Sequence, residues 1–322
     1  MNDKRMIPML LLVVMALAGC EHKELCYDHS HTVEMDVVFD WTKVRDFDEN
    51  DTPGSMSLYL FPLDGGEALR YDFPKHRGGT ITVPYGRYAA ICQNSDTENV
   101  LHRNTGSPET FEIYTGDAPV MLGIGEDTRS VPKADGAEDE RVSRSPDMLW
   151  TDYLEEDIEL KMGDKRSSVT LYPEVSVCTY HVEITGVENL KYVSSISGSL
   201  SGMAGGFLPW KSRMTEEKVT LPFEVKMSED KTAITGNFHG FGHCPSKEGG
   251  HSIVIYAVLT DGSRWYYTYK GDEVTRQLNE APDPKNVYIR LNGLPLPLPE
   301  QGGGSFKPGV GEWEEVEEDI IM

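Results

Sequence analysis

The sequence predicts an all-β protein of two β-sandwich domains in tandem behind a secretory leader, and three observations carry this. From Val33 onward the chain is a succession of short apolar or alternating runs, each closed by Gly, Pro, Asn or Asp, the pattern of strands and turns. No stretch sustains a helical period between capping residues. Past the leader 303 residues remain, a length that suits two domains of ordinary size better than one.

The leader comes first. Lys4 and Arg5 form a positive head, Met9–Leu17 is an unbroken apolar run, and Leu17-Ala18-Gly19-Cys20 closes the segment. A charged start, a short apolar core and a small-residue cleavage site make a bacterial signal peptide over residues 1–19. Its apolar run is far shorter than the roughly 20 residues a membrane-spanning helix needs. With a cysteine directly after the cut, the motif resembles the lipobox of bacterial lipoproteins. That resemblance implies cleavage between Gly19 and Cys20 and lipidation of Cys20. Acyl chains contribute about 0.8 kcal/mol per buried methylene, and two or more anchor stably. Residues 20–31 are polar and aperiodic and read as a lipidated tether. The alternative is an ordinary cleaved signal with a coincidental cysteine.

The first domain is expected over residues 32–165. Its strand candidates are Val33–Phe39, Ser57–Phe61, Leu69–Phe73, Thr80–Val83, Arg87–Gln93, Phe111–Tyr114 and Asp157–Met162. Thr80–Val83 leads through Pro84-Tyr85-Gly86 into Arg87–Ile91 and reads as a tight hairpin. Residues 127–145 are charged and nearly free of apolar side chains, so they read as an exposed loop. Arg129, Arg141 and Arg144 within it are candidate protease sites.

The second domain is expected over residues 166–299. Ser168–Tyr172 is the strand with which the chain finishes the first domain and crosses into the second, which continues with strands at Val175–Ile184, Val219–Met227, Ala233–Phe238, His251–Leu259, Arg264–Lys270 and Asn286–Leu291. Asp261-Gly262 between two β-rich runs is a strong hairpin signal. Ile253, Ile255, Ala257 and Leu259 share one face of that hairpin. Residues 300–322 begin with Gly302-Gly303-Gly304-Ser305 and end in the acidic Trp313–Met322. This last piece either closes the second domain or is a strand offered to a partner.

Charge excludes one class of partner. The chain holds 53 acidic and 30 basic residues, a net charge of -23, and such a surface repels phosphate backbones, so no nucleic-acid partner is expected. Cys26, Cys92, Cys178 and Cys244 form no CxxC pair, which leaves a disulfide among them open and argues against a zinc knuckle. Catalytic motifs are absent: no G-x-S-x-G, H-E-x-x-H, P-loop or dinucleotide fingerprint occurs. The chain therefore reads as a non-enzyme with no catalytic residues, metal site or cofactor. His239, His243 and Cys244 have ligand chemistry, but their glycine-rich setting reads as a bulged strand corner. His22, His29 and His31 lie on or beside the tether, which cannot preorganise a metal site. Asp46–Asp51 resembles the start of a calcium loop but has Asp51 and Ser57 where Gly and Glu belong. Fifteen Tyr and five Trp leave open a glycan-binding platform, the alternative function, as in a nutrient-uptake lipoprotein.

Longer motifs carry a family resemblance. Ser57–Phe61, the run Gly78-Gly79-Thr80-Ile81-Thr82-Val83-Pro84-Tyr85-Gly86-Arg87-Tyr88, and Ile91–Glu98 resemble the first domain of fimbrillin-like and fimbrial anchor lipoproteins of the Bacteroidales. Ile196–Ala204, Phe238–Gly242 and Val274-Thr275 are similar to an uncharacterised domain of the same lipoproteins. The resemblance spans Val33–Pro299. It implies two tandem transthyretin-like Greek-key β-sandwiches and a place at the cell outer membrane. It also implies a role as fimbrial anchor or accessory subunit, with other fimbrial subunits as partners through β-strand contacts.

Overall fold

The computed structural model describes residues 31–44, 52–122, 131–244, 250–269, 272–299 and 312–316. Strands dominate. In the first half, β1 (Thr32–Phe39), β2 (Met56–Pro62), β3 (Leu69–Phe73), β4 (Gly78–Pro84) and β5 (Gly86–Asn94) are followed by β6 (Val100–Arg103), β7 (Glu112–Thr115) and β8 (Arg141–Val142). Then come β9 (Trp150–Leu160), β10 (Arg166–Leu171) and β11 (Glu174–Val175). A three-stranded sheet, β10-β1-β4, faces a five-stranded sheet, β11-β9-β5-β2-β3. β1 shows why: Val33, Met35, Val37 and Phe39 alternate inward and meet Leu58, Leu60, Cys92 and Leu171 in one core. β2 is buried on both faces, because Tyr59 and Phe61 pack into a second cluster behind it.

The second half holds β12 (Cys178–Val187), β13 (Val193–Ala204), β14 (Gly206–Leu208), β15 (Arg213–Met214), β16 (Lys218–Glu224), β17 (Lys226–Met227) and β18 (Ile234–Gly240). After these come β19 (Ile253–Leu259), β20 (Arg264–Tyr269), the helix α1 (Asp272–Asn279), β21 (Asn286–Leu294) and β22 (Trp313–Glu315). The sheet β17-β18-β12-β21 faces the sheet β22-β20-β19-β13-β16-β8. Tyr180, Ile184, Phe223, Ile255 and Ile289 fill the space between them. Phe223 stacks on Phe238 with ring centroids 4.7 Å apart. A Cβ on Gly198 would lie 2.3 Å from the Phe223 ring and one on Gly236 2.6 Å from it. Glycine at both positions makes room for the ring.

Several expectations need correction. Residues 80–91 do not form a hairpin. β4 pairs with β1 and β5 with β2 and β9, so the chain crosses between sheets at Tyr85-Gly86. Val83 and Tyr88 enter the same core from its two sides, and the Tyr88 hydroxyl donates to the Pro84 carbonyl at 3.0 Å.

The boundary at 165/166 also shifts. Residues 166–171 form β10, which lies parallel to β1 inside the first sandwich. The second sandwich begins at β12, once the chain has left β11 on the edge of β9.

Residues 131–145 are not an exposed loop. Ala134 and Ala137 are buried with Val120 and Met121 against Val254 and Tyr256, on the outer face of the six-stranded sheet. The Tyr256 hydroxyl donates to the Pro132 carbonyl at 2.6 Å. The Glu140 carboxylate accepts from the Gly202 amide and from the Thr220 hydroxyl. Strongly polar composition hid a strap whose few small apolar residues all turn inward. Arg129 lies outside the described residues. Arg141 pairs with Glu217 at 2.8 Å and Arg144 donates to the Asp117 carbonyl, so neither is a free loop arginine.

The Asp261-Gly262 hairpin is present, with Val258 opposite Arg264. The eight-residue α1 departs from the all-strand expectation. Its signal in the sequence is only Val274 and Leu278, four residues apart and both buried. Of the C-terminal piece only residues 312–316 are described: Trp313–Glu315 runs parallel to Arg264–Tyr266 on the edge of the six-stranded sheet and Val316 is buried beyond it.

Candidate functional site

The two sandwiches are joined by a small sheet to which each contributes a hairpin. The order is β15-β14-β7-β6, with Ile113 of β7 opposite Phe207 of β14. Charge reinforces the seam. The Arg103 guanidinium holds Glu112 at 2.6 Å and Glu217 at 2.8 Å, and Arg141 holds the other oxygen of Glu217. Burial pushes the Glu217 carboxyl up, but hydrogen bonds from Arg141 and Arg103 outweigh it and hold the group below its ordinary value.

Beside this seam lies a cleft of about 370 Å³, within the size range of binding pockets and in the domain-junction position they favour. Its first wall is the end of the five-stranded sheet: Thr151 and Asp152 of β9 with Glu174 and Val175 of β11. Its second is Phe207, Ser212 and Met214 of the β14–β15 hairpin. Phe241 and His243 with Pro284 and Lys285, which precedes β21, complete it.

The chemistry of these walls is uneven. Phe207, Met214, Phe241 and Val175 make an apolar floor. The Asp152 carboxylate accepts from the Tyr172 amide at 2.6 Å, and burial raises its proton affinity more than that bond lowers it. His243 donates from Nε2 to the Leu278 carbonyl at 3.0 Å, while its buried Nδ1 has no hydrogen-bond partner. The turn Pro209–Ser212 carries two successive non-glycine residues in the left-handed region, Lys211 at φ 64° and Ser212 at φ 47°, a strained arrangement. Trp210 of that turn packs on Tyr153 of β9, ring centroids 5.2 Å apart, tying the hairpin to the first sandwich.

The residues singled out in the sequence scatter. Cys20, Cys26, His22, His29 and Asp46–Asp51 all lie outside the described residues. Cys92, Cys178 and Cys244 are buried free thiols. His239 meets Thr179 at 3.2 Å, His243 meets Leu278, and the Cys244 thiol meets the Glu216 carbonyl, so the three do not converge. Among the described aromatics only Tyr288 stands exposed, at 51%, stacked on His181. Among the described residues a glycan platform therefore lacks its planar set. The cleft itself has no local signal in the sequence. Asp152, Glu174 and Lys285 come from three separate stretches, and only Pro209–Ser212 carries turn chemistry.

Comparison with known proteins places this architecture. A family model described as a domain of unknown function, DUF5119, matches residues 19–224, well over half the chain. The chain belongs to this family. The matched span runs from the residue before Cys20 through the first sandwich, its insertion, and the second sandwich as far as β16. Among curated proteins, a Bacteroides ovatus protein provisionally named fimbrium anchoring subunit Fim4B is 28% identical over 308 residues. That alignment covers 90% of this chain and 84% of the relative. Among solved structures, a provisionally assigned adhesin of Bacteroides ovatus superposes with a TM-score of 0.60 at 22% identity, covering 87% of this chain and 99% of that one. The fimbrial anchor protein Mfa2 of Porphyromonas gingivalis gives a TM-score of 0.48 at 13% identity, covering 81% and 90%. This DUF5119 protein thus shares the fold of the adhesin of TM-score 0.60 over 87% of its own length.

Proposed function

We propose that this protein is an anchoring or accessory subunit of a cell-surface fimbrium, held in the outer membrane by lipid on Cys20. The observation that carries the reading is the near end-to-end alignment with the fimbrium anchoring relative. An all-β body rich in sheet edges supports it, because edges offer main-chain pairing to other subunits. The leader motif supports the lipid. An acidic surface suits an exported scaffold, and the absence of catalytic sequence motifs agrees with a structural role.

Cell fractionation with Cys20→Ala tests it. The variant is expected to leave the outer membrane fraction and to lose radiolabelled palmitate, and fimbriae are expected to be shed into the medium. A variant still membrane-bound, with fimbriae retained, overturns the lipid-anchor reading.

A further inference from the structure

We infer that the end of the first sandwich remote from the junction is a lipid seat, with Met162 and Leu63 as the side chains that enter the headgroup layer. The inference rests on the lipid anchor proposed above and adds to it the surface that meets the bilayer.

Three connections build this end. β9 leads into β10 through residues 161–165, β2 into β3 through residues 63–68, and β4 into β5 through Tyr85. Two of them contain a closed turn. The Asp164 amide donates to the Lys161 carbonyl at 3.0 Å, and the Gly65 amide donates to the Pro62 carbonyl at 3.3 Å. The Lys161 amide also donates to the Asp164 carboxylate at 2.8 Å, and Gly163 takes the left-handed φ of 96° that this turn requires. Met162 is the second residue of one turn and Leu63 the second residue of the other. Turns favour Pro or small polar residues, yet both of these are large and apolar. Met162 is 75% exposed, more than any other large apolar side chain among the described residues, and Leu63 is 41% exposed. Neither joins a hydrophobic cluster, so the core does not account for their character. β5 lies between β9 and β2, which sets the two turns about 10 Å apart, with Tyr85 half-buried at the start of the strand between them.

The tether leaves from the same place. The Tyr85 amide donates to the His31 carbonyl at 2.9 Å, and Thr32 pairs with Pro84. From Cys20 to His31 the chain can span at most about 40 Å, so lipid on Cys20 keeps this end beside the bilayer. Tethering raises the effective concentration of the surface, and a contact too weak to hold the protein alone is then occupied. The junction lies at the other end. Thr151, in the cleft wall, is roughly 30 Å along β9 from Leu160, so the seat directs the second sandwich away from the membrane.

The lining also selects the occupant. Arg87, Lys161 and Arg166 are paired with Asp157, Glu159 and Asp36. Lys165 is left among Asp64, Glu67 and Asp164, all exposed. Charge therefore gives no pull toward anionic headgroups, and the contact is apolar and independent of salt. A flexible methionine suits the irregular boundary between headgroups and acyl chains. Two isolated side chains on separate turns fall far short of the roughly 800 Å² per partner that a stable protein interface buries, which disfavours a second copy or another subunit here.

The test uses full-length lipidated protein on phosphatidylcholine vesicles. An environment-sensitive fluorescent amino acid replaces Met162, Leu63 or, as control, Glu229 in an exposed turn of the second sandwich. Emission from 162 and 63 is expected to shift to the blue and to fall about twofold when the lipids carry brominated acyl chains, at low and at high salt alike. Emission from 229 is expected to stay unchanged. Leu63→Asp should at least halve the quenching at 162 without changing thermal unfolding, since Leu63 is exposed and outside the core.

If the protein floats with the vesicles but 162 behaves like 229, the lipid seat is refuted while the anchor stands. A blue shift without quenching means that protein covers this end, and quenching lost at high salt means that charge holds it; either overturns the inference. If the wild-type protein does not float with the vesicles, the anchor and the seat both fall.

Discussion

Laid over one another, the two sandwiches share a strand order. In the first, β10-β1-β4 faces β9-β5-β2-β3; in the second, β21-β12-β18 faces β20-β19-β13-β16. In each, the opening strand lies parallel to the last strand of its own, smaller sheet. They differ in how the larger sheet is finished. In the second sandwich β8 covers the β16 edge, β22 covers the β20 edge, and the strap of residues 131–143 covers the outer face. In the first, β3 ends its sheet bare and β9 is capped over two residues only. The strap and β8 that finish the second sandwich arise from the first. The pair is thus interlocked, and of the two larger sheets it is the first sandwich's that keeps open edges.

The interlock makes predictions graded by size. The largest effect belongs to the second core: Phe223→Ala should cost about 3–5 kcal/mol in urea unfolding. If the sandwiches are one unit, fluorescence of Trp41 and Trp150 in the first should be lost in the same transition as that of Trp265 in the second. Two separated transitions would break the interlock argument. Next, Ala137→Asp puts a charge under the strap and should cost about 2–3 kcal/mol. Trypsin should then cut at Arg141 and Arg144, which the wild-type protein protects. Unchanged protection would mean the strap is not held by its apolar residues.

A smaller effect is expected at the seam. Glu217→Gln should cost about 1–2 kcal/mol at pH 7, the worth of charged hydrogen bonds discounted for partial exposure. The sign with pH follows from the lowered Glu217 value. Its contribution is present above the ordinary carboxylate range and is lost as pH falls through the lower value the folded protein imposes. The difference between wild type and Gln variant should therefore shrink on acidification. A difference that grows would contradict the assignment. Smallest is Trp313→Ala at the covered edge. It removes an edge-to-face contact with Tyr256 at 5.6 Å and should cost about 1 kcal/mol, seen as a modest fall in Tm.

Much of the architecture is legible in the sequence. Alternation in Val33–Phe39 and in Ile253–Leu259 names both the strand and its inward face, because a pleated strand buries every second residue. The Asp261-Gly262 turn fixes a hairpin locally. Where the sequence misleads, distant partners are the cause. Thr80–Val83 and Arg87–Ile91 look like a hairpin from within, yet each finds better pairing in a different sheet. Residues 131–145 look solvated, yet Ala134 and Ala137 suffice to seat them once Tyr256 offers a surface. The cleft is wholly illegible, since its walls come from strand ends that share no motif.

By itself, then, the sequence determined the strand content, the lipobox-like motif that ends at Cys20, the acidic net charge and the lack of catalytic motifs. Those are properties of local periodicity and composition, which survive without knowledge of neighbours. Only the tertiary structure decided which edges are covered, where the strap lies, and which carboxylates meet an open strand end. Edge pairing is a contact between residues far apart in the chain, and nothing in either segment alone encodes which other segment will reach it.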